Sequence, residues 1–600
     1  MGRIASVLTW ALALGIAVAG SWGGQAVRPR HPRRALLRHV GLVTAATLAV
    51  ELLGARLPAA GRYGLGGAWI AALGLAHVGH AIAMARWGAR LSRAVLGFVG
   101  RNLGDLAATF PRQAAGAAAI LVVAAALGGL TAWADVHGGT TVAARLGWLA
   151  TLGVMAAATV AFLSVPPDPR TGGDPLLVLL LRARAFHGPI PPFDPELGAP
   201  ADRRERAARA EAPAGRRDTV VLVVIDSLQA RALPFHGSAR MTAPFLASWV
   251  AGHGARAVPV AVSPCPSSEC ALWTLLTSRR PRDHAVNAHT LHGALGRAGY
   301  RTRFLLAGVH RGWFGLEYLY GTDHVQFLDG VMDRMVVAAV ERLPPKVSGQ
   351  RDFLQLHLMS VHTAGRVEAE FERWRPARNR IAYVWERELG PEALAAVRNQ
   401  YDNAVLQVDD HLRRICAGLE AKGYLRNAVV VVTADHGEAL GDRPGSYVGH
   451  GRSLFQESIQ VPLVVLGTAE PLPPVAELAD LTDVAPTIAD LVGIEPPASW
   501  QGRSAFRRPW RETACAEFTT HPRSLPGGRR LQMEAVLWRA PAGLYKLVCH
   551  RERGRETFRA AFCLTSDPDE RHPIADAAVI AELEARRQAE LGAARSRGLG

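Results

Sequence analysis

The distribution of apolar residues divides the chain into two parts. Up to residue 166 apolar residues form long runs, whereas beyond residue 217 short apolar runs alternate with amphipathic segments. A helix takes about 20 residues to cross a hydrocarbon core, and runs of that length lie near 4–21, 36–54, 64–85, 115–134 and 145–165. The pattern predicts an α-helical transmembrane domain of about five helices over 1–166, followed by a water-soluble domain.

A linker is expected between the two parts. Residues 167–217 are rich in Pro, Gly, Arg and Ala, a composition typical of linkers. Within them Leu176–Arg184 is apolar and ends in Arg. This segment is too short to span a membrane but suits a short helix lying at the interface. The soluble domain is then expected over 218–580, with a C-terminal tail over 581–600.

Short runs rich in β-branched residues predict the strands of the soluble domain. They lie at Thr219–Ile225, Arg303–Leu306, Phe353–Leu358, Ala428–Thr433 and Val461–Leu466. Segments with helical spacing of apolar residues separate them, as in Tyr401–Leu412. Strands that alternate with helices predict an α/β domain with a mainly parallel central sheet flanked by helices. In such a sheet, binding and chemistry gather at the carboxyl ends of the strands.

The charge balance bears on the partners of the chain. The formal net charge is +16, from 68 Lys and Arg against 52 Asp and Glu. No basic run is interleaved with aromatic residues in the way that single-stranded nucleic acid requires, and the Arg clusters lie beside apolar segments or in the linker. The excess therefore favours attraction to anionic membrane lipids, and no nucleic-acid partner is expected.

Carboxylates and histidines end two of the predicted strands. Asp226 follows the first strand, and Asp435 and His436 follow the fourth, within T-A-D-H-G-E. His450, in a G-H-G segment, is close enough in sequence to return to the same cleft. Carboxylate and imidazole ligands together suit zinc or manganese, with calcium or magnesium as alternatives. We therefore expect one or two divalent metal ions at this edge of the sheet.

Several segments of the soluble domain resemble the alkaline phosphatase superfamily, and specifically its sulfatase-like branch. The segments occur in the family's order: V-V-I-D-S-L-Q-A-R, M-T-A-P-F-L, V-T-A-D-H-G-E, G-H-G-R-S-L-F-Q and L-T-D-V-A-P-T-I-A-D-L. The resemblance covers about residues 218–580. It implies an alkaline-phosphatase-like sandwich fold and a metal held by Asp226, Asp435 and His436.

The same resemblance points to a nucleophile in P-C-P-S-S-E-C-A-L-W-T-L-L-T-S-R, residues 264–279. Aligned on L-L-T-S-R, the family's nucleophile falls on Ser268, whose oxygen would also bind the metal. Ser267 is the alternative, and either serine would also suit a plain helix N-cap. Sulfatases that use formylglycine resemble C/S-x-P-S-R here, whereas this chain has S-E-C-A-L. Formylglycine is therefore not expected.

The D-S pair after the first strand resembles phosphoethanolamine transferases and glycerol-phosphate transferases such as lipoteichoic acid synthases, which use an unmodified Thr. The resemblance implies transfer of a phospho-alcohol group from a lipid donor to a lipid or glycan acceptor through a phosphoserine. His362, in H-L-M-S-V-H-T, and His450 would contact the phosphoryl group and move protons. Two alternatives stay open: hydrolysis of sulfate or phosphate esters, and an inactive pseudoenzyme that binds a glycan or lipid.

The resemblance also implies a multi-pass protein of the cell (inner) membrane with an extracytoplasmic catalytic domain. The loop charges indicate the opposite orientation. Arg residues crowd the first and third loops between the predicted spans, and with five spans the positive-inside tendency would leave the soluble domain in the cytoplasm. We expect the extracytoplasmic orientation.

All six cysteines lie in the soluble domain, without the C-x-x-C spacing of a structural zinc site. Cys265 and Cys270 flank the expected nucleophile. They would bridge in an oxidising compartment or remain reduced and buried, and the sequence leaves both readings open.

Overall fold

A computed structural model describes residues 191, 192, 194 and 217–592, with gaps at 253, 309, 311–314, 322–324, 329–331, 363–366, 378–389, 444–446 and 521–529. All of them belong to the unit His187–Gly600. The predicted transmembrane domain and interfacial helix lie outside the described residues. Within the described ranges, every helix is too short or too polar to cross a membrane.

The strands of the described residues are β1 Thr219–Ile225, β2 Ala255–Ala257, β3 Val260–Val262, β4 Tyr300–Ala307, β5 Val325–Leu328, β6 Arg351–Leu358, β7 Ala428–Thr433, β8 Ala439–Leu440, β9 Val448–Gly449, β10 Gln460–Val461, β11 Leu463–Gly467, β12 Leu478–Asp480, β13 Thr513–Thr519, β14 Leu531–Ala540, β15 Gly543–Glu552 and β16 Arg555–Cys563. The α-helices are α1 Pro244–Ala251, α2 Ser268–Thr277, α3 Leu291–Arg297, α4 Leu316–Leu319, α5 Arg334–Glu341, α6 Pro391–Ala421, α7 Gln456–Ile459, α8 Val484–Val492 and α9 Ala577–Leu591.

A seven-stranded sheet forms the centre of the domain, in the order β2-β11-β7-β1-β6-β4-β5. The five strands β7, β1, β6, β4 and β5 are parallel to one another, and β11 runs antiparallel to both β7 and β2. Every residue of β1 and β7 is buried, as expected for strands covered on both faces. The predicted α/β fold with a mainly parallel sheet is thus confirmed.

One predicted strand, Val461–Leu466, is wrong as a single element. Its residues belong to two strands: β10 pairs with β3 in a small three-stranded sheet, and β11 pairs with β7 in the central sheet. Pro462 separates them. Because proline has no N–H to donate to a ladder, it interrupts a strand inside a sheet. The Pro462 carbonyl instead accepts a hydrogen bond from Thr433 Oγ1 at 2.7 Å.

A second sheet, which the sequence analysis did not foresee, follows the central one. Strands β13, β14, β15 and β16 form an antiparallel meander in sequence order. Helix α9 covers one face, where Leu583 and Leu591 are buried among residues of this sheet. The packed domain therefore continues beyond residue 580, where the sequence analysis placed the start of a tail.

A buried charged network ties the second sheet to the loop between β8 and α7. Lys546, on β15, forms an ion pair with Glu570 Oε1 at 2.7 Å and donates to Gln456 Oε1 at 3.0 Å. Arg443 donates to Glu570 Oε2 at 3.1 Å and to Glu457 at 2.8 Å. Lys546 and the Glu570 side chain have no exposed surface. The network fixes the loop that carries His450 against the second sheet.

We expect Lys546→Met to lower the free energy of unfolding by about 3 kcal/mol, since removing one partner of a buried ion pair leaves the other charge poorly compensated. Arg413→Met is the matched control, because the Arg413 side chain pairs with Asp410 while 53% exposed and such pairs contribute less than about 1 kcal/mol. Urea unfolding of the purified protein measures both. Equal shifts in the two variants would show that the buried network does not stabilise the fold.

Candidate active site and metal centre

The carboxyl ends of three adjacent strands bring acidic and imidazole groups together. β1 lies between β6 and β7, and all three are parallel. Asp226 follows β1, Asp435 follows β7 after one alanine, and His357 is the penultimate residue of β6. All three side chains are buried. The edge of the sheet predicted to hold the chemistry therefore carries a compact polar cluster.

Ser227 connects the two carboxylates. Its hydroxyl donates to Asp226 Oδ1 at 2.8 Å, and its backbone N–H donates to Asp435 Oδ1 at 3.1 Å. Ser227 has φ 65°, a left-handed conformation that costs a non-glycine residue about 1 kcal/mol. Asp435 Oδ1 also accepts the N–H of His436 at 2.8 Å. These bonds hold one oxygen of each carboxylate and leave the other facing the cluster.

The predicted nucleophile lies beside these residues. Helix α2 begins at Ser268, whose Oγ lies 3.0 Å from His436 Nε2 and 3.2 Å from Asp226 Oδ2. The competing serine, Ser267, precedes the helix and donates its hydroxyl to the Glu269 carboxylate. The structure thus places Ser268 among the predicted metal ligands and turns Ser267 toward a different partner.

The imidazole of His436 is oriented by the backbone. Its Nδ1 lies 2.7 Å from the carbonyl oxygen of Gly437, so Nδ1 carries the proton and Nε2 offers its lone pair toward Ser268. Glycine is required at position 437, because a Cβ there would lie 2.2 Å from the Glu457 carbonyl oxygen. The glycine of T-A-D-H-G therefore lets this loop pack closely and sets the histidine beside it.

His450 and His362 complete the group. The ring centroid of His450 lies 4.3 Å from that of His436 and 5.3 Å from that of His362. The turn leading to His362 is fixed by Asp333, whose carboxylate accepts the backbone N–H groups of Met359 and Ser360. The structure therefore brings both predicted phosphoryl-contacting histidines to the predicted metal residues.

The environment separates the pKa values of these two histidines. Burial alone would lower the pKa of His450, but the negative charges of Glu438, Asp226 and Asp435 raise it to about 9. The Glu438 carboxylate lies 3.8 Å from His450 Nδ1. For His362, burial prevails and lowers the pKa. At neutral pH, therefore, the imidazole of His450 is charged and that of His362 is neutral.

The carboxyl of Asp226 is held ionised by its neighbours. Burial would raise its pKa, but the positive charges that His362, His436, His357 and His450 carry when protonated outweigh burial and hold the pKa well below its usual value. An ionised carboxylate at a buried strand end is the form that binds a cation.

The donor groups fit a divalent metal ion. Of the described residues, Asp226, His357 and Asp435 form the one group of three metal-ligating side chains whose ligand atoms all lie within 4.8 Å of one another. Asp435 Oδ2 and His357 Nε2 are buried without a hydrogen-bond partner. Leaving such atoms unpaired costs about 1–3 kcal/mol each, and a cation between them would remove that penalty. The mixture of carboxylate and imidazole suits zinc or manganese.

His357 was missed by the sequence analysis, which singled out His362 in the same H-L-M-S-V-H-T segment. A signal was present: position 357 is one residue before the end of a buried strand, close to the level at which Asp226 and Asp435 follow their own strands. A histidine between Leu356 and Leu358 in a buried strand also suits an ordinary core position, so the local sequence does not single it out.

Cys265 and Cys270 form a disulfide, with an S–S distance of 2.10 Å. The bridge encloses Ser267 and Ser268 and joins the first turn of α2 to the segment before it. Cys416, Cys515, Cys549 and Cys563 are free. The open question between a bridge and two thiols is answered in favour of the bridge.

We expect alkylation of the denatured protein without reductant to modify four cysteines, and alkylation after reduction to modify all six. The four are the free thiols, which unfolding makes accessible. Intact-mass measurement counts the modified groups. Six modified thiols without reductant would rule out the bridge.

Part of this domain is similar to known proteins. Residues 218–494 match the model of the Sulfatase family. PehA of Trinickia caryophylli, a multifunctional alkaline phosphatase superfamily protein, is 32% identical over 112 residues, 18% of this chain and 21% of that protein. Arylsulfatase K of Bos taurus is 25% identical over 183 residues, 30% of this chain and 33% of that protein. The matches thus span a fifth to a third of these relatives.

The putative sulfatase yidJ of Bacteroides fragilis has a similar structure, with a TM-score of 0.50 at 15% sequence identity over 63% of this chain and 96% of that chain. This likeness shows the fold. Residues 218–494 therefore resemble the Sulfatase family, within a domain of α/β architecture. Sulfatases and phosphatase-superfamily proteins are among its relatives, and the domain is that of an enzyme.

Proposed function

We propose that the protein is a membrane-anchored, metal-dependent transferase. It moves a phospho-alcohol group, of phosphoethanolamine or glycerol-phosphate type, from a lipid donor to a lipid or glycan acceptor through a phosphoserine at Ser268. The observation that supports it most is the position of Ser268 at the start of α2, within hydrogen-bond distance of both His436 and Asp226.

An unmodified serine is favoured by the residues around it. The segment after Ser268 reads E-C-A-L, without the Pro and Arg that formylglycine formation requires in the sulfatases it resembles, and Cys270 is engaged in a disulfide. An unmodified hydroxyl forms a covalent phosphoryl intermediate that a second alcohol can resolve. This is the chemistry of a transferase.

The chain supplies the groups that such a transfer needs. A divalent cation held by Asp226, Ser268, Asp435 and His436 would lower the pKa of the Ser268 hydroxyl and offset phosphoryl charge. With its proton lost to water, Ser268 Oγ forms a bond to phosphorus while the bond from phosphorus to the donor lipid oxygen breaks. The N–H groups at the start of α2 face the phosphoryl oxygens.

Two histidines serve the transfer: one moves protons and the other binds the phosphoryl group. His450, beside the Glu438 carboxylate, gives its proton to the departing lipid oxygen and so releases a neutral alcohol. In the second half-reaction His450 takes the proton of the acceptor hydroxyl, whose oxygen attacks phosphorus and frees Ser268. His362 hydrogen-bonds the phosphoryl group in both steps. No external oxidant or reductant is consumed.

Mass spectrometry of the 264–279 peptide tests the proposal. The purified protein is incubated with vesicles of phosphatidylethanolamine or phosphatidylglycerol, quenched in acid and digested after reduction. We expect a mass gain of one phosphoethanolamine or one glycerol phosphate on Ser268, and none in Ser268→Ala. An adduct of bare sulfate or phosphate with ester substrates, and none with lipids, would favour the hydrolase instead.

We further propose that the catalytic domain lies outside the cytoplasm at the cell (inner) membrane, held by a multi-pass segment. The Cys265–Cys270 disulfide supports this placement, because such bridges persist in oxidising compartments. Reporter fusions after residue 215 should be active only outside the cytoplasm. Activity confined to the cytoplasm would instead agree with the Arg-rich loops.

A further inference from the structure

His357 lies at the centre of the polar cluster without a role in the reaction described above. It is 1% exposed. Its Nε2 lies 3.9 Å from Asp226 Oδ2 and has no hydrogen-bond partner. The ligand atoms of His357, Asp226 and Asp435 all lie within 4.8 Å of one another. A buried imidazole nitrogen in this position needs either a proton acceptor or a cation.

The hydrogen bonds behind His357 assign its proton. The Ala307 carbonyl oxygen lies 3.1 Å from His357 Nδ1 and 2.9 Å from His310 Nε2. Because a carbonyl oxygen only accepts, His310 carries its proton on Nε2, and its Nδ1 accepts from the Tyr320 hydroxyl at 3.0 Å. Both imidazoles then donate to the Ala307 carbonyl, which has two lone pairs. The other tautomer of His357 would let Nδ1 accept from His310 Nε2, 3.3 Å away. It would also bury an Nε2–H that has no hydrogen-bond partner, since Asp226 Oδ2 lies 3.9 Å away, beyond hydrogen-bond distance.

The geometry points to a further metal ligand: we propose that His357 Nε2 binds the same cation as Asp226 and Asp435. Metal-binding histidines ordinarily donate their second ring N–H to a carbonyl or carboxylate, which fixes the ring and the tautomer. His357 does so to Ala307, as His436 does to Gly437. His357 lies on β6 and His436 follows β7. In both residues the proton is on Nδ1, so Nε2 has a lone pair that can bind a cation.

A second imidazole also narrows the choice of metal. Calcium and magnesium prefer all-oxygen sites, whereas zinc binds imidazole nitrogen well. With His357 and His436 both bound, the site selects zinc over calcium and magnesium. This inference rests on the proposed function and adds a ligand to its metal centre. Its test measures zinc binding rather than lipid transfer, so the two can fail independently.

The test compares His357→Gln with His310→Gln in the full-length protein. His310 is the matched control because it is also a buried histidine bonded to Ala307, and it is 3% exposed. Each protein is stripped with a chelator and reloaded with zinc. Zinc affinity is measured by competition, and the number of imidazoles bound to zinc is measured by X-ray absorption.

We expect two imidazoles in the wild-type protein and in His310→Gln, and one in His357→Gln with zinc affinity about 100-fold weaker. A residue that only positioned Asp226 would weaken affinity without changing the imidazole count. Two imidazoles in His357→Gln, or a single imidazole in the wild-type protein, would overturn the proposal. If His357→Gln fails to fold, His450→Gln replaces it, and the number of imidazoles bound to zinc should stay at two. A fall to one would assign the second imidazole to His450 and overturn the role of His357.

Discussion

Replacing Ser268 with alanine should abolish turnover, lowering kcat by more than about 10⁴-fold, because the residue that forms the covalent bond is removed. The fold should survive. Ser268 is the first residue of α2 and Ser267 occupies the N-cap position, so the change costs at most about 1 kcal/mol of helix stability. Most of the metal affinity should remain, since Asp226, Asp435 and His436 are unchanged. Turnover of a labelled lipid donor and metal content are measured on the same preparation.

Ser267→Ala is the matched control for this change. The Ser267 hydroxyl donates to Glu269 rather than to the metal residues, and its side chain makes no capping hydrogen bond to α2. We therefore expect most of the activity to remain. Loss of activity in Ser267→Ala with full activity in Ser268→Ala would move the nucleophile by one residue. Full activity in both variants would exclude a covalent serine.

Ser268→Cys separates the transferase from a formylglycine sulfatase. A cysteine at this position would lie in C-E-C-A-L, which lacks the Pro and Arg of the maturation signal. It should remain a cysteine, and the variant should gain no sulfatase activity. An aldehyde detected at position 268 by peptide mass would contradict this expectation.

The strands that carry the site were predictable because their sequences are simple. Thr219–Ile225 and Ala428–Thr433 are short runs rich in β-branched residues, and the structure confirms both with the same ends. A buried parallel strand requires such a run, and the carboxylate that follows it is placed at the sheet edge by the chain itself. The positions of Asp226 and Asp435 thus follow from local sequence.

The remainder of the site depends on contacts between residues far apart in the chain. The bond from the Ser227 N–H to Asp435 joins residues 208 positions apart, and the proton position of His357 depends on the carbonyl of Ala307, 50 residues away. Sequence periodicity indicates which face of a helix or strand is buried, but it does not identify the atoms from distant parts of the chain that contact that face. The tautomer and the fifth candidate ligand therefore emerge only from the folded chain.

The second sheet was missed for a different reason. Its strands mix charged and apolar residues, as in Arg555–Cys563, where the first five positions are exposed and two near the end are buried. An antiparallel sheet with one covered face needs only part of each strand to be apolar.

The metal residues give the second large effect. We expect the double variant Asp435→Asn, His436→Gln to lose nearly all of the bound zinc or manganese, from about one ion per chain, because it removes one anionic and one imidazole ligand. Asparagine preserves the backbone bonds: its Oδ1 still accepts the N–H groups of Ser227 and His436 that Asp435 Oδ1 accepts now. A loss of metal would then reflect lost ligands rather than a collapsed loop.

Asp409→Asn is the control, since Asp409 is also a buried carboxylate that accepts two backbone N–H groups, those of Phe245 and Leu246. It is 4% exposed but caps α1 instead of facing the cluster. Elemental analysis of the purified proteins should show metal retained in Asp409→Asn and absent from the double variant. Unchanged metal content in the double variant would show that Asp435 and His436 do not bind the metal ion.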